Sequence, residues 1–362
     1  MTCVAPWTEN DAVSRRYIVV AVAFATIAAC EGGGDEMWPG EYVDVVSPDG
    51  IEPCAGTVAF YDRFVASTYA TWTGQPPPAG FHVELEFRAS ADADGTGHSD
   101  VGDSRAWAAS EPVALHELGH LVVDSIDGVG APALREGIAQ TLGARSAAEL
   151  WGPALVDPET FLFQPTGGLD ATLYLPAGQF ASFIIRRRGL DTFREAYRAT
   201  AGLETEAQVR TALESVLGDL DSLISEFNAA AQCSALLWEC GDDVLEREQL
   251  PIVVDADPEC SEASALGALG DGDPAWGPVR RMTVDVEGTD GIHVDLTENA
   301  AVYFVPCAPD CEALAEPRIV AFLPSMGFDE FDWASPPAGR YYVTVSPVDP
   351  ALPFAARIDL AP

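Results

Sequence analysis

The sequence predicts an α+β protein: a mainly helical domain with a small β-sheet over residues 54–243, followed by a smaller all-β sandwich domain over 244–362. Three observations carry this. Apolar residues recur at three- and four-residue steps through 58–72, and helices with one buried face are legible again between 110 and 231. Between them, residues 81–88 alternate apolar and charged side chains with a period of two, the mark of a half-buried strand. After about residue 243 the text changes to short alternating segments separated by Gly, Pro and Asp, the pattern of a sandwich.

Charge narrows the partners. The chain of 362 residues carries 57 acidic and 19 basic side chains, every basic one an Arg, for a formal charge of -38. So acidic a surface repels phosphate backbones and anionic lipid headgroups, which excludes nucleic acid as a partner and basic patches as a route to a membrane. A hydrophobic content of 48% with 21% charged residues is that of a folded chain. No stretch reaches the roughly 18 consecutive apolar residues that a spanning helix needs.

At the amino end, Arg15 and Arg16 precede an apolar run from Tyr17 to Ala29, too short to span a bilayer. The run ends Ile27-Ala28-Ala29-Cys30, followed by a polar Gly-rich stretch. These residues resemble a bacterial lipoprotein signal and its lipobox. The resemblance implies removal of residues 1–29, acylation of Cys30 and a lipid anchor in the membrane, giving an extracytoplasmic lipoprotein of the outer membrane or cell surface. Residues 30–53, rich in Gly, Pro and acids, read as the acylated Cys and a flexible tether. Besides Cys30, six cysteines follow the leader: Cys54, Cys233, Cys240, Cys260, Cys307 and Cys311. An even number in an exported chain suggests up to three disulfides with the pairing open, Cys233–Cys240 and Cys307–Cys311 being plausible local bridges.

Each later element follows from local pattern. Val58, Tyr61, Val65, Tyr69 and Trp72 form a helical stripe that Gly74 and the prolines at 76–78 end. In 81–88, Phe81, Val83, Leu85 and Phe87 alternate with His82, Glu84, Glu86 and Arg88, marking a strand with one wet side. This strand is expected to be an edge on which a substrate aligns. Residues 91–103, rich in Asp and Gly, read as a solvated loop. A helix starts at Ser110 as N-cap, and further helices occupy 132–143, 176–188, 191–199, 205–217 and 219–231. Strands follow around 282–287, 291–296, 301–305, 318–323 and 340–345, and again near the carboxyl end.

The chemistry concentrates at His116-Glu117-Leu118-Gly119-His120. On a helix, His116 and His120 lie one turn apart on one face, so both imidazoles reach a single metal ion, with Glu117 beside them. Composition alone produces about 0.005 such pentads in a chain of this length. Gly128-Val-Gly-Ala-Pro then breaks the helix, and Leu134-Arg-Glu136-Gly-Ile-Ala starts another. Together these segments resemble the gluzincin metallopeptidases, the thermolysin-like superfamily that includes the peptidase-MA-like proteins. The likeness spans roughly residues 105–231. It implies a zincin-like fold, one catalytic zinc ion held by His116, His120 and Glu136, and peptide-bond hydrolysis of a peptide or protein substrate through a zinc-activated water with Glu117 as general base. It also implies Tyr174 as the oxyanion donor. Two departures stand out. Fifteen residues separate His120 from Glu136, fewer than in thermolysin. Gln140 occupies the place, one turn after the ligand Glu, where an acid supports the first His; an amide raises imidazole basicity less. The segments 337–345 and 354–360 loosely resemble bacterial pre-peptidase C-terminal domains. A second reading, from another class, is a non-catalytic zincin-scaffold lipoprotein acting as a binding or adhesion module; the intact Glu117 weighs against it, because a scaffold needs the ligands but not the base. His82, His98 and His293 have no partner spacing and are assigned no chemistry.

Overall fold

The computed structural model describes residues 36–47, 51–88, 97–109, 111–143, 154–165, 168–232, 244–245, 252–254, 265–266, 268–270, 279–287, 290–297, 299–306, 320–322, 330–333, 336, 338–347 and 355–361. The leader, Cys30, the cap Ser110 and every cysteine except Cys54 lie outside these residues. Among the described residues no helix is long and apolar enough to cross a membrane.

The first surprise is the segment expected as a tether. Within it β1 (Glu36–Trp38), β2 (Val43–Ser47) and β3 (Ile51–Pro53) are strands. Val43 and Val45 are fully buried. The turn between β1 and β2 is pinned by Asp62, whose carboxylate accepts the backbone N–H groups of Glu41, Tyr42 and Val43 at 2.7–2.9 Å. A Gly- and Pro-rich composition disguised three strands, of which β2 sends Val43 and Val45 into the core.

Asp62 belongs to α1 (Thr57–Thr73), whose buried face is Thr57, Phe60, Tyr61, Phe64, Val65, Thr68 and Trp72. The stripe is turned relative to expectation, because Val58 and Tyr69 sit on its flank, half-buried. Gly74 ends the helix at φ 73°, a left-handed conformation that costs a residue without Cβ little. Then come β4 (Val83–Phe87), β5 (Gly97–Asp100) and β6 (Arg105–Ala108). The sheet order is β1-β2-β4-β6-β5, with β2, β4 and β6 parallel and both outer strands antiparallel to their neighbours.

This order corrects two expectations. Segment 81–88 supplies a central strand, so it cannot be a substrate-aligning edge. Part of the expected loop, 97–100, is itself one of the two outer strands, β5. Gly and Asp are poor strand formers, and none of the four residues is β-branched. What makes them a strand is pairing with β6 and packing on the next helix, both non-local.

Behind the sheet, α2 (Glu111–Asp127) leads through a short break to α3 (Pro132–Gly143). Ten of the twelve residues of α3 are buried, so it is a central helix covered on nearly all sides. It packs between α2 and α4 (Tyr174–Arg188). Gly143 lets α3 approach α2 closely: a Cβ there would lie 2.7 Å from the His116 backbone nitrogen. The unit is completed by α5 (Leu190–Ala199), α6 (Glu206–Leu217) and α7 (Leu220–Ala229), close to the predicted spans.

Beyond residue 243 the described residues are strands, as expected. β7 (Val244–Leu245), β8 (Ile252–Val254), β9 (Ala265–Leu266) and β10 (Ala268–Gly270) were not foreseen, nor was the later strand Glu330–Trp333. β11 (Val279–Val286), β12 (Gly291–Leu296), β13 (Ala300–Pro306), β14 (Val320–Phe322), β15 (Glu330–Trp333), β16 (Gly339–Pro347) and β17 (Ala356–Ala361) follow. One sheet runs β14-β13-β16-β11-β7, with β9 also on β11; the other runs β15-β12-β17-β8. Val284, Phe304 and Val343 from the first and Ile292, Val294 and Ile358 from the second enter one core, separate from that of the helical unit. The expected boundary at 243/244 is bridged, because β10 pairs antiparallel with β3. Next to β3, Cys54 is buried and disulfide-bonded.

Candidate metal centre

Local helix geometry begins the site. On α2, His116 and His120 project from one face a turn apart, and the buried Ala114, Leu115, Leu118, Leu121 and Val122 fix that face inward. Across the α2–α3 break, Glu136 comes from the first turns of α3. The three side chains converge. Nε2 of His116 lies 3.1 Å from Glu136 Oε2, Nε2 of His120 lies 3.2 Å from the same oxygen, and the two Nε2 atoms are 3.1 Å apart. All three residues are at least 90% buried. They form a group that could hold a metal ion.

The donor set fits zinc. Ligands about 2.0–2.1 Å from a tetrahedral zinc lie about 3.3–3.4 Å from one another, close to the spacings found. Protonation fits as well. Burial pushes the His120 imidazole down to about 3, which leaves it the neutral ligand form. Burial opposes ionisation of Glu136, but hydrogen bonds from His116 and His120 outweigh it and hold the carboxyl well below the usual range.

Glu117 is buried beside the ligands at 9% exposure. Burial, assisted by the charge of Glu136, raises its pKa; His116, Arg135 and a hydrogen bond from Ser99 pull the other way. Its space is made by β5, where a Cβ on Gly97 would lie 2.3 Å from Val113 and within 3.0 Å of Glu117. Tyr174, at the start of α4, stacks on His116 with ring centroids 5.6 Å apart and planes 8° apart. Its hydroxyl is pushed up to about 12, chiefly by burial and then by Glu136 and Glu117, so it keeps its proton at neutral pH. Gln140 lies one turn beyond Glu136 on α3, half-buried. A cavity of about 530 Å³ opens against Glu136 and Arg135, walled by Val129, Gly130, Pro132 and Pro165.

Sequence reasoning therefore named residues that the fold brings together: His116, Glu117, His120, Glu136 and Tyr174. It missed Arg135, Asp124, Ser99 and Gly97. Asp124 had a signal, since it lies one turn past His120 on the same face of α2. The other three depend on how α3 and β5 meet α2, which no local pattern encodes. No family model matches this chain, and no curated protein matches it.

Proposed function

We propose that this chain is a lipid-anchored zinc metallopeptidase. The observation that supports it most is the convergence of His116 Nε2, His120 Nε2 and Glu136 Oε2 beside a buried further carboxylate, Glu117, that ligation does not need. Zinc in a site with three protein ligands supplies a Lewis acid that acidifies water and polarises a carbonyl. The chain's own groups do the rest. Glu117 takes the proton of the attacking water and delivers it to the leaving amine. The Tyr174 hydroxyl donates to the oxyanion that develops on the scissile carbonyl. An extended peptide aligns by adding a strand to β5, and the cavity beside Glu136 receives a flanking residue.

The test is Glu117→Gln. Proteolysis of an unstructured protein substrate should fall at least a thousandfold while zinc stays at one per chain by elemental analysis. Activity that survives the substitution overturns the mechanism; zinc uptake without proteolysis in the parent supports the binding-module reading instead. The anchor is tested apart from this. Cys30→Ala should move the protein from the membrane pellet to the soluble fraction, and unchanged partition would remove the lipid anchor from the proposal.

A further inference from the structure

We propose that Arg135 is the positioning residue of this centre: it fixes the orientation of the ligand Glu136 and, through Ser99, that of Glu117, in one frame anchored on Asp124. The inference rests on reading His116, His120 and Glu136 as zinc ligands. Each arm of the guanidinium has a separate acceptor. Nε donates to Asp124 Oδ2 at 2.8 Å, Nη2 donates to Ser99 Oγ at 3.1 Å, and Nη1 forms an ion pair with Glu136 Oε1 at 3.5 Å.

The two oxygens of Glu136 are thereby divided. Oε2 joins the two imidazole nitrogens, and Oε1 is held by Arg135, so the carboxylate presents one oxygen to the ligand cluster. A guanidinium only donates, so the Ser99 oxygen is occupied as an acceptor and its own proton is free to point at Glu117. Asp124 is held in turn by Arg135 and the Tyr197 hydroxyl, with its side chain fully buried. It shares the helix face of His116 and His120, which ties the frame to the ligands' own backbone. An ion pair that merely joined α2 to α3 would need the Asp124 arm alone. Charge agrees: three carboxylates and one guanidinium cancel a divalent cation.

The experiment measures zinc affinity of the full chain by competition with a chromophoric chelator, with far-UV circular dichroism as a folding control. Arg135→Lys keeps the charge but cannot reach three acceptors from one compact ammonium group, and it should weaken zinc binding about 10–100-fold. Ser99→Ala removes only the arm to Glu117 and should leave zinc affinity within about twofold of the parent. Parental affinity in Arg135→Lys overturns the proposal, as does an equal loss in Ser99→Ala. If Arg135→Lys does not fold, Asp124→Asn decides. It keeps an acceptor of the same shape and removes the anchoring charge, so about a tenfold loss supports the frame and parental affinity overturns it. A parent that takes up no zinc overturns the metal site itself, and the proposal with it.

Discussion

At the scale of single residues, the most constraining position in the site is Gly97, which has no functional group. Any side chain there meets Val113 at 2.3 Å, a distance real Cβ atoms do not tolerate, and it meets Glu117 next. Gly97→Val should therefore displace Glu117 while leaving the ligands on α2 and α3 untouched. The expected result is a loss of stability of about 1–3 kcal/mol by denaturant titration, with zinc retained and turnover reduced more than tenfold; parental turnover would show that Glu117 does not depend on β5. The asymmetry explains what was legible at this scale. His116, Glu117 and His120 share one helical turn, so their geometry is written in the spacing itself. Glu136 came only through resemblance. Arg135, Ser99 and Gly97 matter because of what the fold sets against them, and an isolated Gly in an Asp-rich stretch looks like a turn.

At the scale of elements, the carboxyl end of α2 bears a buried acid, Asp127, where the helix dipole is unfavourable to it. Four bonds offset this. Trp72 of α1 donates at 2.8 Å, Arg194 of α5 binds both oxygens at 2.6 and 3.2 Å, and Arg198 binds at 2.6 Å. Three helices thus meet on one carboxylate that is 2% exposed. Burial raises its pKa, but the hydrogen bonds from Arg194, Arg198 and Trp72 prevail, and the net shift is below the ordinary 3.8. The sign follows from that direction. Asp127 contributes stability in full above about pH 5, and the contribution fades as the pH falls through the unfolded and then the folded pKa. Asp127→Ala should cost about 2–3 kcal/mol at pH 7, less than a fully enclosed pair because Arg198 is half-exposed and can turn to water. The cost should shrink towards pH 3; a penalty independent of pH would assign it to packing alone. Helix periods located α1, α2 and α5 without any view of this junction, because ion pairs between elements leave no periodic trace.

At the scale of the whole molecule, two cores are joined by a ladder that was not foreseen, since the strand on the amino-terminal side lay in the supposed tether. The helical unit's core draws on residues from Val43 to Phe227 and the sandwich core on residues from Met282 to Ile358, with no buried residue shared among those described. Each unit should hold together without the other. Yet β3 and β10 pair over three residues, so removal of one unit leaves unpaired backbone on the other. A chain ending at residue 243 should melt cooperatively and bind a metal ion at His116, His120 and Glu136 as the full chain does. It loses a few ladder hydrogen bonds worth about 0.5–1.5 kcal/mol each, which for a domain of this size lowers Tm by about 5–10 °C. Calorimetry of the shortened and full chains decides the matter. An unchanged Tm would mean that the ladder is energetically idle, and failure to fold would mean that the sandwich completes the helical unit rather than accompanying it. The acidic surface adds a control. The whole chain carries a formal net charge of -38, so part of any gain or loss on separation is relief of like-charge repulsion. That part is screened by salt, whereas the ladder is not. The Tm difference that persists in 1 M salt is therefore the non-electrostatic part, in which the ladder is included.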